Sequence, residues 1–175
     1  MERLKKTLAE APVVSMGDYD YVVHPITDGI PWIEPELLRE VIDEIIQPTL
    51  PEFDLIVTAE AMGIPIATAL SLRIGKPFNI IRKRMYGLPG EISVSQVTGY
   101  SKAKLYINGL KKGDRILFVD DVISTGGTLR ATLKALKTIG VEITGIVIVV
   151  EKGDGSVKKE ISREFGVKIR TLVNY

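Results

Sequence analysis

Four short runs, DLIVTAE (54–60), PFNIIRK (77–83), RILFVD (115–120) and ITGIVIVVEK (143–152), are apolar almost without alternation, and VKIRTLV (167–173) is a further strand. A strand wetted on one face alternates apolar and polar residues, whereas a continuous run needs cover on both faces. The cover is present in the intervening sequence. EPELLREVIDEIIQP places Leu37, Leu38, Val41, Ile42, Ile45 and Ile46 at helical spacing between Pro35 and Pro48. MGIPIATALSLRIG runs on from the first strand as a helix closed by Gly75, GTLRATLKALKTIG carries Leu129, Leu133 and Leu136 on one face, and KKEISREFG is a short helix. Strands alternating with helices predict an α/β fold, an open and mostly parallel sheet flanked by helices, with ligands at the carboxyl ends of the strands. At 175 residues and 45% hydrophobic, residues 1–175 form a single domain with one sizeable core.

Other segments are plainer. MERLKKTLAEAP is a short amphipathic helix, AKLYI (103–107) a short strand and LKKGDR (110–115) a turn. MYGLPGEISVSQVTGYS (85–101), with three glycines and a proline in polar surroundings, reads as a long mobile loop.

Several function classes are excluded early. A net charge of +1 gives no basic field for nonspecific nucleic-acid binding, and no cysteine is present for disulfides, thiolate metal sites or a thiol nucleophile. One histidine, His24, is too few for a histidine-based zinc site. No apolar signal core opens the sequence and no run reaches membrane-spanning length, so a cytoplasmic protein is predicted.

The densest signal is RILFVDDVISTGGTLR (115–130). It reads as strand 115–120, turn 121–127 and a helix from about 127. Ser124, Thr125, Gly126, Gly127 and Thr128 then lie where unpaired N–H groups and the helix dipole converge, a place suited to an anion. Glycines admit close backbone approach and the hydroxyls add donors. The stretch matches neither GxxxxGK[ST] nor GxGxxG. An ordinary helix cap would explain the Ser/Thr-Gly turn but not Asp120 and Asp121, which would repel a phosphate directly. Those carboxylates are accounted for if the ligand also brings hydroxyls or Mg²⁺, so a sugar phosphate is implied.

VDDVISTGGT resembles the phosphoribosyl pyrophosphate (PRPP) signature of the type I phosphoribosyltransferases, and the likeness covers most of the chain. IIRKRMYGLPGE (80–91) is similar to the corresponding stretch of the adenine enzymes. HPITDGIP and RKRMYGLPGE together are most similar to the archaeal hypoxanthine/guanine group. The resemblance implies the type I fold, with residues 1–35 contributing a small N-terminal hood and 85–101 a catalytic flap that closes over the site. It also implies a homodimer, Mg²⁺, and transfer of ribose 5-phosphate from PRPP to a purine. Ser124–Thr128 would hold the 5′-phosphate, and Asp120 and Asp121 the ribose hydroxyls, directly or through metal-bound water. The loop Glu60, Ala61, Met62, Gly63 would bind pyrophosphate, through a non-proline cis peptide in many relatives. Many of them carry Arg or Lys where this chain has Met62, so that contact falls to the backbone. Arg82, Lys83 and Arg84, at a strand end, would neutralise the leaving pyrophosphate.

Lys152 ends the run 143–151 on the edge that carries the phosphate turn. A lysine only donates hydrogen bonds, which suits the O6 of a 6-oxopurine and opposes the amino group of adenine. In the hood stretch YDYVVHPITDGIPWI (19–33), Ile26 is assigned to the base, and His24, Asp28 and Trp32 are candidates to line it. Two departures concern the proton acceptor. The adenine enzymes have a glutamate where this chain has Gly99, and the hypoxanthine enzymes an aspartate where it has Ser124. Asp121 and Glu91 are the nearest carboxylates for that role. The resulting expectation is a purine salvage enzyme making IMP or GMP. An adenine-specific transferase and a PRPP- or nucleotide-sensing regulator on the same fold remain open. The second would ordinarily bring a basic face or an added DNA-binding domain, and neither is evident.

Overall fold

The computed structural model describes residues 1–17, 19–47, 49–97 and 102–175. Pro48 and the stretch 98–101 of the expected flap, Gly99 included, lie outside the described residues. The elements run α1 (Glu2–Ala9), β1 (Val13–Met16), β2 (Tyr19–Val22), α2 (Pro25–Asp28), α3 (Pro35–Ile46), β3 (Leu55–Ala59), α4 (Gly63–Ile74), β4 (Phe78–Ile81) and β5 (Ile92–Val97). They continue as β6 (Lys102–Ile107), β7 (Arg115–Ile123), α5 (Gly127–Ile139), β8 (Glu142–Glu151), α6 (Ser156–Phe165) and β9 (Ile169–Asn174).

Five strands form one parallel sheet in the order β4-β3-β7-β8-β9. Its faces are separate cores. On one, Ile116 and Phe118 of β7 and Ile146 and Ile148 of β8 pack with Leu129, Leu133 and Leu136 of α5 and Ile161 and Phe165 of α6. On the other, Leu117, Val119, Val147 and Val149 pack with Leu4 of α1, Leu37, Val41 and Ile45 of α3, and Ile66 and Leu70 of α4. Burial on both sides is why β7 and β8 carry no polar alternation through these residues. Two antiparallel pairs, β1-β2 and β5-β6, complete the fold.

Two readings of the sequence need correction. Strand β7 does not stop at Asp120: Val122 and Ile123 continue the ladder against Val150 and Glu151 of β8, so the turn shrinks to Ser124–Gly126. And residues 92–97, read as loop, form β5, with Val94 opposite Leu105 of β6 and both buried in the core beside α5. The alternation in ISVSQV is a strand signal that the surrounding glycines and polar residues masked.

A long-range clamp ties the first half of the chain to its last strand. Arg170 of β9 donates from Nη2 to the carbonyls of Glu44 (2.6 Å) and Ile45 (2.8 Å), and from Nη1 to that of Gln47. These are carbonyls at the end of α3, where that of Glu44 also accepts the Gln47 amide at 3.2 Å. No helix among the described residues is long and apolar enough to cross a membrane.

Candidate functional site

Strand β7 brings the chain to the carboxyl edge of the sheet, turns through Ser124, Thr125 and Gly126, and enters α5 at Gly127. Gly126 has φ +73°, in the left-handed region, and caps the helix without a side-chain bond. A Cβ there would also lie 2.6 Å from Ile161 Cδ1 and 2.7 Å from Val157 Cγ1 of α6. The glycine is therefore required by backbone conformation and by the packing of α6, besides any close approach of an anion to the first-turn N–H groups.

A cavity of about 540 Å³ opens over this turn. Its wall takes Ser124, Thr125, Gly126, Gly127, Thr128 and Leu129 from the turn and α5, Asp120, Val122 and Ile123 from β7, Ile148 and Lys152 from β8 and its end, and Tyr19, Asp20 and Tyr21 from β2. The five turn residues, Asp120 and Lys152, inferred separately from sequence, thus share one concavity. A helix-entrance turn rich in glycine and hydroxyls, a carboxylate and a cationic donor lie around a space of a small-molecule size.

The two aspartates are not equivalent. Asp120 lines the cavity and its Oδ1 accepts the Asp121 amide at 3.1 Å. Asp121 is 8% exposed. Burial, reinforced by the Asp121 charge, holds the Asp120 carboxyl well above the usual range. Burial also pushes Asp121 up, to about 6; its hydrogen bonds to Asp120 and the Lys152 charge pull the other way, and the Asp28 charge pushes up.

Next to Asp120 stands the loop between β3 and α4, where the Glu60–Ala61 peptide is cis, as the resemblance implied. Thr58, at the end of β3, is fully buried and its hydroxyl has no hydrogen-bond partner. A Cβ on Gly63 would lie 1.9 Å from Thr58 Oγ1 and 2.7 Å from Asp120 Oδ1, so only glycine fits between them. Met62 turns its side chain toward Gly29, with Cε 3.5 Å from where a Cβ there would lie. Glu60 accepts from Arg82 Nε (2.6 Å) and the Lys83 amide (3.1 Å), which together hold its carboxyl below the ordinary range. Arg84 lies 5.6 Å from the Tyr86 ring centroid. The basic strand end therefore does adjoin the cis loop, but Arg82 arrives there already paired.

Among the described residues no group of three or more His, Cys, Asp and Glu side chains could hold a metal. What the site offers is Asp120 on the cavity wall beside the unpartnered Thr58 hydroxyl. That fits Mg²⁺, which takes one or two carboxylates and fills its shell with water and substrate oxygens.

Four expected residues do other work. Glu91 accepts from the Tyr86 amide (2.9 Å), the Gly87 amide (3.2 Å) and Asn108 Nδ2 (2.9 Å), and these donors, Asn108 first, keep its carboxyl low. It staples the 86–91 loop and is a poor proton acceptor. Ile26 is 1% exposed and packed in the core, not against the cavity. His24 is buried and caps α2, with Nδ1 accepting the Ile26 amide and Nε2 at 2.9 Å from Thr7 Oγ1. Trp32 is 63% exposed and donates to Glu34. Sequence reasoning did not single out Tyr21, whose hydroxyl donates to Asp28 Oδ1 at 2.6 Å and whose ring centroid lies 4.4 Å from Lys152 Nζ. The sequence marks residue 21 only as part of the stretch 19–33, and no spacing links it to residue 152.

Comparison with known proteins agrees with this geometry. The phosphoribosyl transferase domain family matches residues 35–174. The chain is 56% identical over 174 residues to the hypoxanthine/guanine phosphoribosyltransferase of Methanohalophilus mahii, covering 99% of this chain and 90% of that protein. It is 58% identical over 172 residues to that of Methanobacterium paludis, covering 98% and 90%. Among solved structures, adenine phosphoribosyltransferase from Thermoanaerobacter pseudethanolicus superposes with a TM-score of 0.79 at 22% identity, covering 98% of this chain and 99% of that one.

Proposed function

The chain belongs to the phosphoribosyl transferase domain family, and from that membership we propose that it transfers the 5-phosphoribosyl group of PRPP to hypoxanthine or guanine, giving IMP or GMP and pyrophosphate. The observation that carries the reading is the single cavity in which the Ser124–Thr128 turn, Asp120 and Lys152 meet. In the reaction the bond from the anomeric carbon to pyrophosphate oxygen breaks with its electron pair, a purine nitrogen bonds to that carbon, and the purine loses a proton.

The roles follow from the chemistry of each group. The N–H groups and hydroxyls of Ser124, Thr125, Gly126, Gly127 and Thr128 hold the 5′-phosphate at the start of α5. Asp120 receives the ribose hydroxyls and, with Asp121 beside it, is the carboxylate set for Mg²⁺. When bound, Mg²⁺ supplies positive charge against the pyrophosphate oxygens. Ala61, Met62 and Gly63 contribute backbone to the pyrophosphate side, with Lys83, Arg84 and the Glu60-paired Arg82 around it. Lys152 donates to O6 of the purine. Of the two carboxylates expected to take the purine proton, Asp121 remains, since Glu91 is held by its own donors; burial raises Asp121 toward the range in which a carboxylate accepts a proton. Most of the rate comes from orientation and charge neutralisation.

A single domain with residues 1–35 as hood and 85–101 as flap, acting as a cytoplasmic homodimer, belongs to the same proposal. Sedimentation checks the oligomer. The decisive experiment supplies PRPP and Mg²⁺ with hypoxanthine, guanine, xanthine and adenine in turn and follows nucleotide formation. Conversion of hypoxanthine or guanine well ahead of adenine is expected. Fastest conversion of adenine, or no product with any base, would overturn the reading.

A further inference from the structure

The lysine proposed to read the purine does not stand free in the cavity. Lys152 Nζ lies 4.4 Å from the centroid of the Tyr21 ring, within the range in which an ammonium is attracted to an aromatic face. The ring is itself anchored, because the Tyr21 hydroxyl donates to Asp28 Oδ1 at 2.6 Å. Asp28 in turn accepts from the His24 amide (2.9 Å) and Thr27 Oγ1 (2.6 Å), and His24 is buried against Thr7 of α1. Burial tends to raise the Asp28 carboxyl, yet these donors hold it below its ordinary value, so the anchor is an anion.

We propose that Tyr21 is a positioning residue for base specificity: its ring, fixed to Asp28, holds the Lys152 ammonium and sets its aim into the base end of the cavity. The ring face turned to the ammonium is unavailable for stacking on a purine, so Tyr21 acts through the lysine. A strand end alone would leave the four-carbon stem of lysine free to sweep the cavity, and a donor that must be immobilised on binding loses part of its selectivity. Tyr21 and Asp28 both precede residue 35, where the family match begins. The phosphate turn thus lies inside the shared domain, while the group aiming the base-reading lysine is supplied from outside it. This inference rests on the assignment of Lys152 to the base.

The test compares Tyr21→Leu, Tyr21→Phe and Lys152→Met, with thermal melts confirming that each variant is folded. In protein labelled on lysine, the ε-methylene protons of Lys152, whose Nζ lies over the Tyr21 ring, should resonate upfield. They should return to the common lysine position in Tyr21→Leu and stay shifted in Tyr21→Phe. Tyr21→Leu should raise KM for hypoxanthine by about fivefold to thirtyfold, the factor for a partly desolvated cation–aromatic contact, with PRPP affinity measured without base changed less than twofold. Tyr21→Phe, which keeps the ring but loses its bond to Asp28, should recover only part of that loss. The double variant Tyr21→Leu/Lys152→Met should be no worse than Lys152→Met alone. Multiplying effects in the double variant, or a Lys152 resonance indifferent to Tyr21→Leu, would overturn the proposal. If the resonance moves as expected while Lys152→Met leaves the base preference intact, the base assignment fails and the specificity role falls with it, though the holding of the lysine stands.

Discussion

Arg82 donates from Nε to Glu60 Oε2 at 2.6 Å, so the first of three consecutive cations reaches the cis loop with its charge already matched. The pair connects the ends of two neighbouring strands, β3 and β4, and the Lys83 amide adds a second bond to the same oxygen. On the proposed assignment, pyrophosphate bound here would share Arg82 with a carboxylate.

That relationship separates the effects of two substitutions. Lys83→Ala removes a cation and should weaken PRPP and pyrophosphate by about tenfold to a hundredfold, as for one charge-assisted contact. Arg82→Ala removes a cation and also leaves the Glu60 carboxylate unmatched beside the anion, so it should cost more than Lys83→Ala. Adding Glu60→Gln to Arg82→Ala should restore part of the loss. Calorimetric titration with pyrophosphate measures all three, and purine affinity should be nearly unchanged throughout.

Lys152→Met should erase most of the preference for hypoxanthine over adenine. In the parent protein adenine would turn its amino group toward the lysine, and an unmet polar group in a closed site costs about 1–3 kcal/mol, or on the order of tenfold to a hundredfold in rate. Competition between the two bases at fixed PRPP measures the ratio. An unaltered ratio in the variant would remove Lys152 from base recognition.

Gly126→Ala should destabilise the fold as well as the phosphate site. The left-handed backbone at φ +73° costs a non-glycine residue about 1–3 kcal/mol, and the new Cβ must displace Ile161 and Val157. Thermal melting should fall by several degrees for a chain of this size. If binding is lost while the melting temperature is unchanged, the packing role assigned to this glycine is wrong.

His24 predicts a pH dependence. Burial lowers its folded pKa below the ordinary 6.5, and the Asp28 charge only partly opposes this. The unfolded chain then binds the proton more readily, so the stability that neutral His24 contributes is fully present above about pH 6.5 and is lost as pH falls toward the folded value. Protonation would also put a hydrogen on Nδ1, which accepts the Ile26 amide. Denaturant melts of the parent and of His24→Gln between pH 5 and 8 should show the stability difference between them shrinking as pH falls, the raised Asp120 and Asp121 carboxyls adding an opposite slope common to both.

The sheet was legible in the sequence because burial on both faces writes itself into β3, β7 and β8 as unbroken apolar runs. The turn from β7 into α5 was legible because a helix entrance built of glycine and hydroxyl residues has few alternatives. Less legible were contacts whose partners lie far apart in the chain. Nothing local marks Glu60 as the partner of Arg82, or Tyr21 as the holder of Lys152. Glu91 illustrates the converse: a carboxylate in a glycine-rich stretch resembles a catalytic group until the amides of Tyr86 and Gly87 are seen to occupy it. Ile26 misled in the same way, since its hood address suggested the ligand while its side chain completes the core.

The guanidinium of Arg170 closes the end of a helix made about 125 residues earlier. On a ribosome, α3 emerges early and must wait for these side-chain bonds while most of the sheet is synthesised. They form only once β9 has been made, so the end of α3 is finished long after the helix itself. A nascent chain stalled before Arg170 would therefore carry a looser end to α3, and proteases acting there should cut it faster than a chain that includes β9.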